Sequence, residues 1–163
     1  MNASRTDDGS TALYVAAQNG HADVVKLLLE SSADVNASRT DDGSTALYVA
    51  AQDGHSNVVK LLLEHSADVN ARCTDDGATA LYVAAYNGHA DVVKLLLENS
   101  ADVNASRTDT GSTALYVAAQ KGHADVVKLL LENSADVNAS RHTNGATALC
   151  VACLLYTSDA ADE

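Results

Sequence analysis

Four histidines recur at one fixed position of the sequence, and histidine is a common zinc ligand. They are His21, His55, His89 and His123, each 34 residues from the next. The constant step predicts that they occupy equivalent places in successive structural units. Packed helices lie about 8–10 Å apart, whereas zinc holds a ligand nitrogen at about 2 Å, so neighbouring histidines could not share a metal. The spacing therefore favours a structural role and indicates no metal or cofactor.

The three cysteines do not form a disulfide framework. Cys150 and Cys153 make a C-x-x-C pattern, but Cys150 stands where earlier units carry tyrosine, and Cys153 belongs to a divergent tail. Cys73 lies in a polar turn, and we expect an exposed thiol there. Few, unevenly spread cysteines favour a reducing compartment. No apolar run approaches the roughly 20 residues of a membrane span, and no signal sequence follows Met1, so we expect a cytoplasmic protein.

No residue pattern typical of an enzyme is present. The sequence lacks a glycine-rich phosphate loop, a paired carboxylate cleft and a nucleophile-base set. The Asp pairs before a glycine recur from unit to unit, which indicates turn chemistry and not a single active site. We therefore expect no catalytic activity.

The charge balance narrows the choice of partners. Lys and Arg together number 10 against 22 Asp and Glu, for a formal charge of -12. Such a charge disfavours nucleic acid and anionic membranes, because phosphate binding needs clustered basic side chains. It is compatible with a basic protein partner; the alternative is that the charge serves solubility alone.

A period of 34 residues organises residues 1–152. Asn2, Asn36, Asn70, Asn104 and Asn138 each open the same unit. The units are therefore 2–35, 36–69, 70–103, 104–137 and a partial unit 138–152. One helix pair of this size cannot bury its apolar faces, but stacked pairs can, so the sequence predicts one continuous array.

Local signals place two helices in each unit. In the first unit, Thr11 is the expected N-cap of a short helix that runs through Asn19, and Gly20 is expected to end it in the left-handed conformation. A second helix is predicted over residues 22–30, with its polar residues on one stripe and valine and leucine elsewhere. A helix with so little polar surface must be packed between neighbours.

The unit contains "DG-x-T-A-L-Y-V-A-A", then "GH-A-D-V-V-K-L-L-L", then "ADVNA", and over residues 2–152 it resembles the ankyrin repeat. Two departures are Thr-Ala-Leu-Tyr in place of the family's Thr-Pro-Leu-His and one extra residue before the turn glycine. The resemblance implies an all-α solenoid of stacked helix-turn-helix units with β-turn fingers. It also implies a hydrogen-bonding role for the histidine after the turn glycine. Tyr14, Tyr48, Tyr82 and Tyr116 should form a ladder, which we expect to fill gaps between units.

Differences between units mark the candidate binding residues. By resemblance to ankyrin proteins, the finger tips and the ends of the first helices line a concave binding surface. The candidates at the finger tips are Asp7, Asp8, Asp41, Asp42, Asp75, Asp76 and Asp109. Those at the helix ends are Gln18, Asn19, Gln52, Asp53, Tyr86, Asn87, Gln120 and Lys121. The function expected is that of a protein-protein interaction scaffold. Drift after duplication is the alternative origin of these differences.

The tail at residues 153–163, "CLLYTSDAADE", repeats nothing else in the chain. It resembles the in-frame translation of a sequencing adapter, and the alternative is a natural C-terminal cap. We therefore expect a non-native tail without function. The second hypothesis for the whole chain follows from it: an uncapped fragment of a longer array whose only intrinsic property is end-to-end self-association.

Overall fold

The computed structural model describes residues 7–139, 141 and 145–150, and this part of the chain is a stack of helix pairs. The complete helices within it are α1 Ala12–Gln18, α2 Ala22–Glu30, α3 Ala46–Gln52, α4 Ser56–Glu64, α5 Ala80–Asn87, α6 Ala90–Glu98, α7 Ala114–Lys121 and α8 Ala124–Glu132. Residues 148–150 are helical too. The predicted boundary at 152 and the tail 153–163 lie outside the described residues.

The helices form two layers. The first helices of the pairs pack in the order α1, α3, α5, α7, and the second helices pack in the order α2, α4, α6, α8. Each first helix also packs on the second helix of its own unit. The stacked helix pairs predicted from the period and the local signals are thereby confirmed, as is the all-α solenoid that the resemblance implies. None of the described helices has the length and apolar character needed to cross a bilayer.

The first helices begin at a threonine cap, as the sequence predicts. Thr11 has an extended backbone, and its side-chain oxygen accepts a hydrogen bond from the Tyr14 amide at 3.1 Å. Thr45, Thr79 and Thr113 cap α3, α5 and α7 in the same way. At the other end α1 stops at Gln18, one residue earlier than predicted, and Gly20 follows in the left-handed region with φ 71°. A short helix is thus closed by local hydrogen bonds at both ends.

The second helices have the predicted bounds and are packed between neighbours in the interior of the stack. Val58, Val92 and Val126 are each 1% exposed. Lys and Glu four residues apart pair at 4.0 Å on the solvent side of every second helix. Their side chains are more than half exposed, so each pair contributes only a few tenths of a kcal/mol. Burial of valine and leucine between units therefore holds this layer together.

Each unit begins with a finger, and we use that name for residues 38–45, 72–79 and 106–113 and for residues 7–11, the described part of the first finger. The ends of each finger meet in an antiparallel bridge, as Ser38 does with Thr45. Successive fingers are also linked, because the Thr40 amide donates to the Asp8 carbonyl at 3.1 Å and the Thr74 amide donates to the Asp42 carbonyl at 2.8 Å. The fingers therefore form a continuous edge of the stack.

The second residue after each second helix is a serine with an unfavourable backbone conformation. Ser32, Ser66, Ser100 and Ser134 have φ between 64° and 66°. Side chains with a Cβ rarely adopt this left-handed region, where glycine is the usual residue. The amide of Ser100 still donates to the Leu97 carbonyl at 3.1 Å, so the helix end itself is closed.

Candidate partner-binding surface

The C-terminal ends of the four first helices carry eight of the predicted binding residues, and all eight are exposed. They are Gln18, Asn19, Gln52, Asp53, Tyr86, Asn87, Gln120 and Lys121. Because α1, α3, α5 and α7 pack side by side, these residues lie along one edge of the first-helix layer. We call this set the helix-end surface.

Tyr86 and Lys121 are neighbours on the helix-end surface. Tyr86 is 43% exposed, and the Lys121 ammonium lies 4.4 Å from the centroid of its ring. This distance is within the range of a cation–π contact. The equivalent positions in the other units are glutamine and asparagine or aspartate, so units 3 and 4 together present a feature that the rest of the edge lacks.

Two asparagines of the helix-end surface also serve the fold. The Asn19 side-chain amide donates to the Val15 carbonyl at 2.7 Å. The Asn87 amide donates to the Val83 carbonyl at 3.0 Å and to the Gln52 carbonyl of the preceding unit at 3.2 Å. Asn87 therefore uses both of its side-chain donors within the fold, and its side-chain oxygen is the group left to a partner.

The two aspartates at each finger tip differ in their surroundings. Asp7, Asp41, Asp75 and Asp109 are exposed, whereas Asp8, Asp42 and Asp76 are half-buried. A side-chain oxygen of Asp42 accepts from the Ser44 amide at 2.9 Å, and Asp8 and Asp76 accept from the amide two residues on in the same way. The second aspartate of a pair therefore closes the finger turn, and the first one faces solvent.

Arginines that the sequence analysis did not single out bridge neighbouring fingers. Arg39 lies within 4 Å of Asp41 and Asp42 in its own finger and 3.4 Å from Asp8 in the preceding one. Arg107 pairs with Asp109 at 2.6 Å and with Asp76 of the preceding finger at 3.0 Å. The recurrence of arginine two residues before the aspartates was the available signal.

These contacts shift the pKa values of the finger groups. Burial opposes ionisation of Asp42, but hydrogen bonds from Ser44 and the charge of Arg39 hold its pKa below the usual value. The hydrogen bond from Arg107 lowers the pKa of Asp109, and the same bond raises the pKa of Arg107. The finger edge is therefore a paired network in which part of the acidic charge is already neutralised.

Three of the four periodic histidines have the structural role that the sequence favoured. The His55 ring nitrogen Nε2 lies 3.0 Å from the Gln18 carbonyl of the preceding unit, and His89 lies 3.0 Å from the Gln52 carbonyl. His123 makes the same contact with the Tyr86 carbonyl at 3.1 Å. Each ring also lies against the turn glycine of the preceding unit. No group of histidines, cysteines or acids in the described ranges could hold a metal ion.

The tyrosine ladder packs between units, as expected. Tyr14, Tyr82 and Tyr116 are buried, and an arginine of the following finger covers each ring. Tyr48 is half-buried, because its neighbour in the next finger is Cys73.

The expectation that Cys73 is an exposed thiol was wrong: it is 8% exposed, and burial raises its pKa to about 11. Cys150 is exposed, and its partner in the C-x-x-C pattern lies outside the described residues.

Comparison with known proteins agrees with this architecture. A family model described as ankyrin repeats, of three copies, matches the chain in four overlapping segments. The matched residues are 1–73, 38–107, 71–141 and 105–162. No curated protein matches the chain.

Proposed function

Because the chain belongs to the ankyrin-repeat family, in which repeats generally mediate protein–protein interaction, we propose that it is a binding scaffold with one contact edge. A partner would lie against the finger tips and the helix-end surface. The packing positions are nearly identical from unit to unit, and most of the differences between units lie in the fingers and at the ends of the first helices. The others lie at the two ends of the second helices, as at Ser56, Asn57 and His65. We infer no catalytic role for the chain.

The observation that carries the proposal is the exposed Tyr86 beside Lys121. Tyrosine is enriched among the residues that dominate binding energy, because its ring offers a large rigid surface with a polar end. An exposed ring on an otherwise polar edge is available to a partner without any rearrangement of the stack. We therefore assign the main binding energy to the surface around Tyr86.

The exposed aspartates favour a basic partner. Asp7, Asp41, Asp75 and Asp109 lie at the tips of successive fingers. Arg39 and Arg107 pair with Asp41 and Asp109, so a basic partner would meet the acidic excess that remains along this line. Exposed charges of this kind raise the association rate more than the affinity, and salt screens them beyond about 8 Å. The cytoplasmic location and the lack of nucleic-acid or membrane partners stay predictions from the sequence.

The test separates the two contributions kinetically. A protein binder selected against the whole chain is measured by surface plasmon resonance with wild type and variants. Tyr86→Gln, which gives unit 3 the residue of its neighbours, should speed dissociation by about tenfold or more. Asp→Asn changes at the four exposed finger aspartates should lower the association rate and its salt dependence instead.

The control lies on the opposite side of the molecule. Lys60 and Glu64 are exposed on the solvent side of α4, and changing both to alanine should leave binding unchanged. A binder that tolerates Tyr86→Gln and the finger changes but is lost with the α4 variant would show that the second-helix layer is the contact surface.

A second candidate function is end-to-end association of the array. On the N-terminal side Val15, Val24 and Leu27 are 41%, 46% and 63% exposed, whereas Val49 and Val58, the equivalents of the two valines, are 3% and 1% exposed. On the other side a cavity of about 500 Å³ is lined mostly by apolar groups of unit 4, including Val127 and Leu131. These are the faces that successive units cover elsewhere in the stack.

This candidate predicts a mass that grows with concentration. Light scattering of the whole chain should show such growth, and capping repeats with polar outer faces added at both ends should suppress it. A strictly monomeric profile at high concentration would exclude end-to-end association and leave the scaffold proposal unaffected.

A further inference from the structure

Where two neighbouring fingers meet, an arginine side chain occupies the same position over a tyrosine ring in more than one place along the stack. The Arg39 side chain covers the Tyr14 ring of the preceding unit, with its guanidinium carbon 5.4 Å from the ring centroid. It also pairs with Asp8 of the preceding finger and with Asp41 and Asp42 of its own. We call this space, over the tyrosine ring and between the aspartates of two fingers, the arginine slot.

The slot between units 3 and 4 is occupied in the same manner. Arg107 lies 5.5 Å from the centroid of the Tyr82 ring and pairs with Asp76 and Asp109. Arg141, in the partial unit 138–152, lies 5.2 Å from the ring centroid of Tyr116 in the unit before it. The molecule itself therefore shows which chemical group this combination of ring and carboxylates binds.

Between units 2 and 3 the arginine is replaced by Cys73. The Cys73 side chain ends at its sulfur, and burial together with this nearby sulfur raises the pKa of the Tyr48 hydroxyl. Tyr48 remains half-buried, whereas Tyr14, Tyr82 and Tyr116 are 6%, 8% and 4% exposed. Tyr48 is therefore less covered than the other three tyrosines of the ladder.

The carboxylates of this slot are still in place. Asp42, Asp75 and Asp76 lie close enough to Cys73 that their charges add to the effect of burial in raising its pKa. Asp42 and Asp76 each have an arginine of another slot on one side. Asp75 accepts a hydrogen bond from the Thr74 hydroxyl at 3.5 Å, and among the described residues it has no ion-pair partner.

We propose that the slot bounded by Tyr48, Asp42, Asp75 and Asp76 receives an arginine side chain from a protein partner. The inference rests on the proposed scaffold function and deepens it, because it names the residue type that a partner would present to the fingers 38–45 and 72–79. Arginine fits better than lysine, since the planar guanidinium stacks on a ring and pairs with carboxylates at its edge at the same time. The Cys73 thiol stays neutral near pH 7 and serves as the floor of the slot.

The test uses a short uncharged peptide that carries one arginine and a matched peptide with lysine in its place. Amide and tyrosine-ring shifts of the whole chain are followed by NMR during titration, with reducing agent present. The arginine peptide should shift Tyr48, Cys73 and Asp75, and the lysine peptide should bind at least about fivefold more weakly.

Two variants distinguish the slot from general attraction to an acidic edge. Cys73→Arg gives unit 3 the residue of its neighbours, so it should fold, cover Tyr48 and abolish the shifts. Cys73→Ser leaves the slot open and should keep them. Equal shifts from lysine and arginine, shifts that persist in Cys73→Arg, or no shift with millimolar arginine peptide would overturn the proposal. The two proposals can fail separately. If a selected binder binds wild type and Cys73→Arg equally but does not bind Tyr86→Gln, this inference is overturned and the scaffold function stands.

Discussion

Replacing His89 by alanine should weaken the junction between units 2 and 3, whereas the same change at His21 should have little effect. His89 Nε2 lies 3.0 Å from the Gln52 carbonyl, and a Cβ built on Gly54 would lie 2.7 Å from its Nδ1, so the ring packs tightly on the preceding unit. Loss of one hydrogen bond costs about 0.5–1.5 kcal/mol, and loss of the ring contact adds a comparable amount. We expect a total of about 1–3 kcal/mol, or roughly 2–12 °C in Tm for a chain of this size.

His21 is the matched control, because it has the same local sequence and the same place before a second helix. It is exposed, and within the described residues its side chain makes no hydrogen bond. His21→Ala should therefore change the free energy of unfolding by less than about 0.5 kcal/mol. Thermal unfolding followed by circular dichroism measures both variants, and hydrogen exchange of the α3 and α5 amides shows where the loss lies. Equal losses in the two variants would refute the argument, since the histidine would then act within its own turn and not between units.

Two further predictions use the same internal symmetry. Val92→Ala should lower the free energy of unfolding by about 2 kcal/mol, because two buried methyl groups are lost at a 1% exposed site. Val24→Ala, at a 46% exposed site, should cost less than half as much. Urea unfolding measures both variants, and equal costs would contradict the burial argument. Ser100→Gly should raise the free energy of unfolding by about 0.5–1 kcal/mol, because φ of 66° strains any residue with a Cβ. Asn99→Gly, at φ -101°, should lower the free energy of unfolding. A Tm that falls in both variants would show that the serine conformation is not strained.

The period and the local signals of the sequence were enough to predict the fold of each unit. Thr11 caps α1 and Gly20 follows it in the left-handed conformation, while α2 spans the predicted residues 22–30. These features depend on hydrogen bonds and backbone preferences within a few residues, which a sequence pattern records directly. The exposure of the helix-end residues could be predicted as well, because polar residues at the end of a helix whose other residues are apolar are expected to face solvent.

The contacts between units were decided by the tertiary structure. Arg39 meets Asp8 across 31 positions of the chain, and His89 meets the Gln52 carbonyl across 37, so no local pattern could show that these groups touch. The same reason explains why Cys73 was expected to be exposed: its burial against Tyr48 comes from stacking of one unit on the next. The sequence by itself determined what each unit is, because the forces that shape a unit are short-range. Which of the repeated residues are buried, paired or exposed was decided by the tertiary structure alone, because it depends on the unit that packs next to each one.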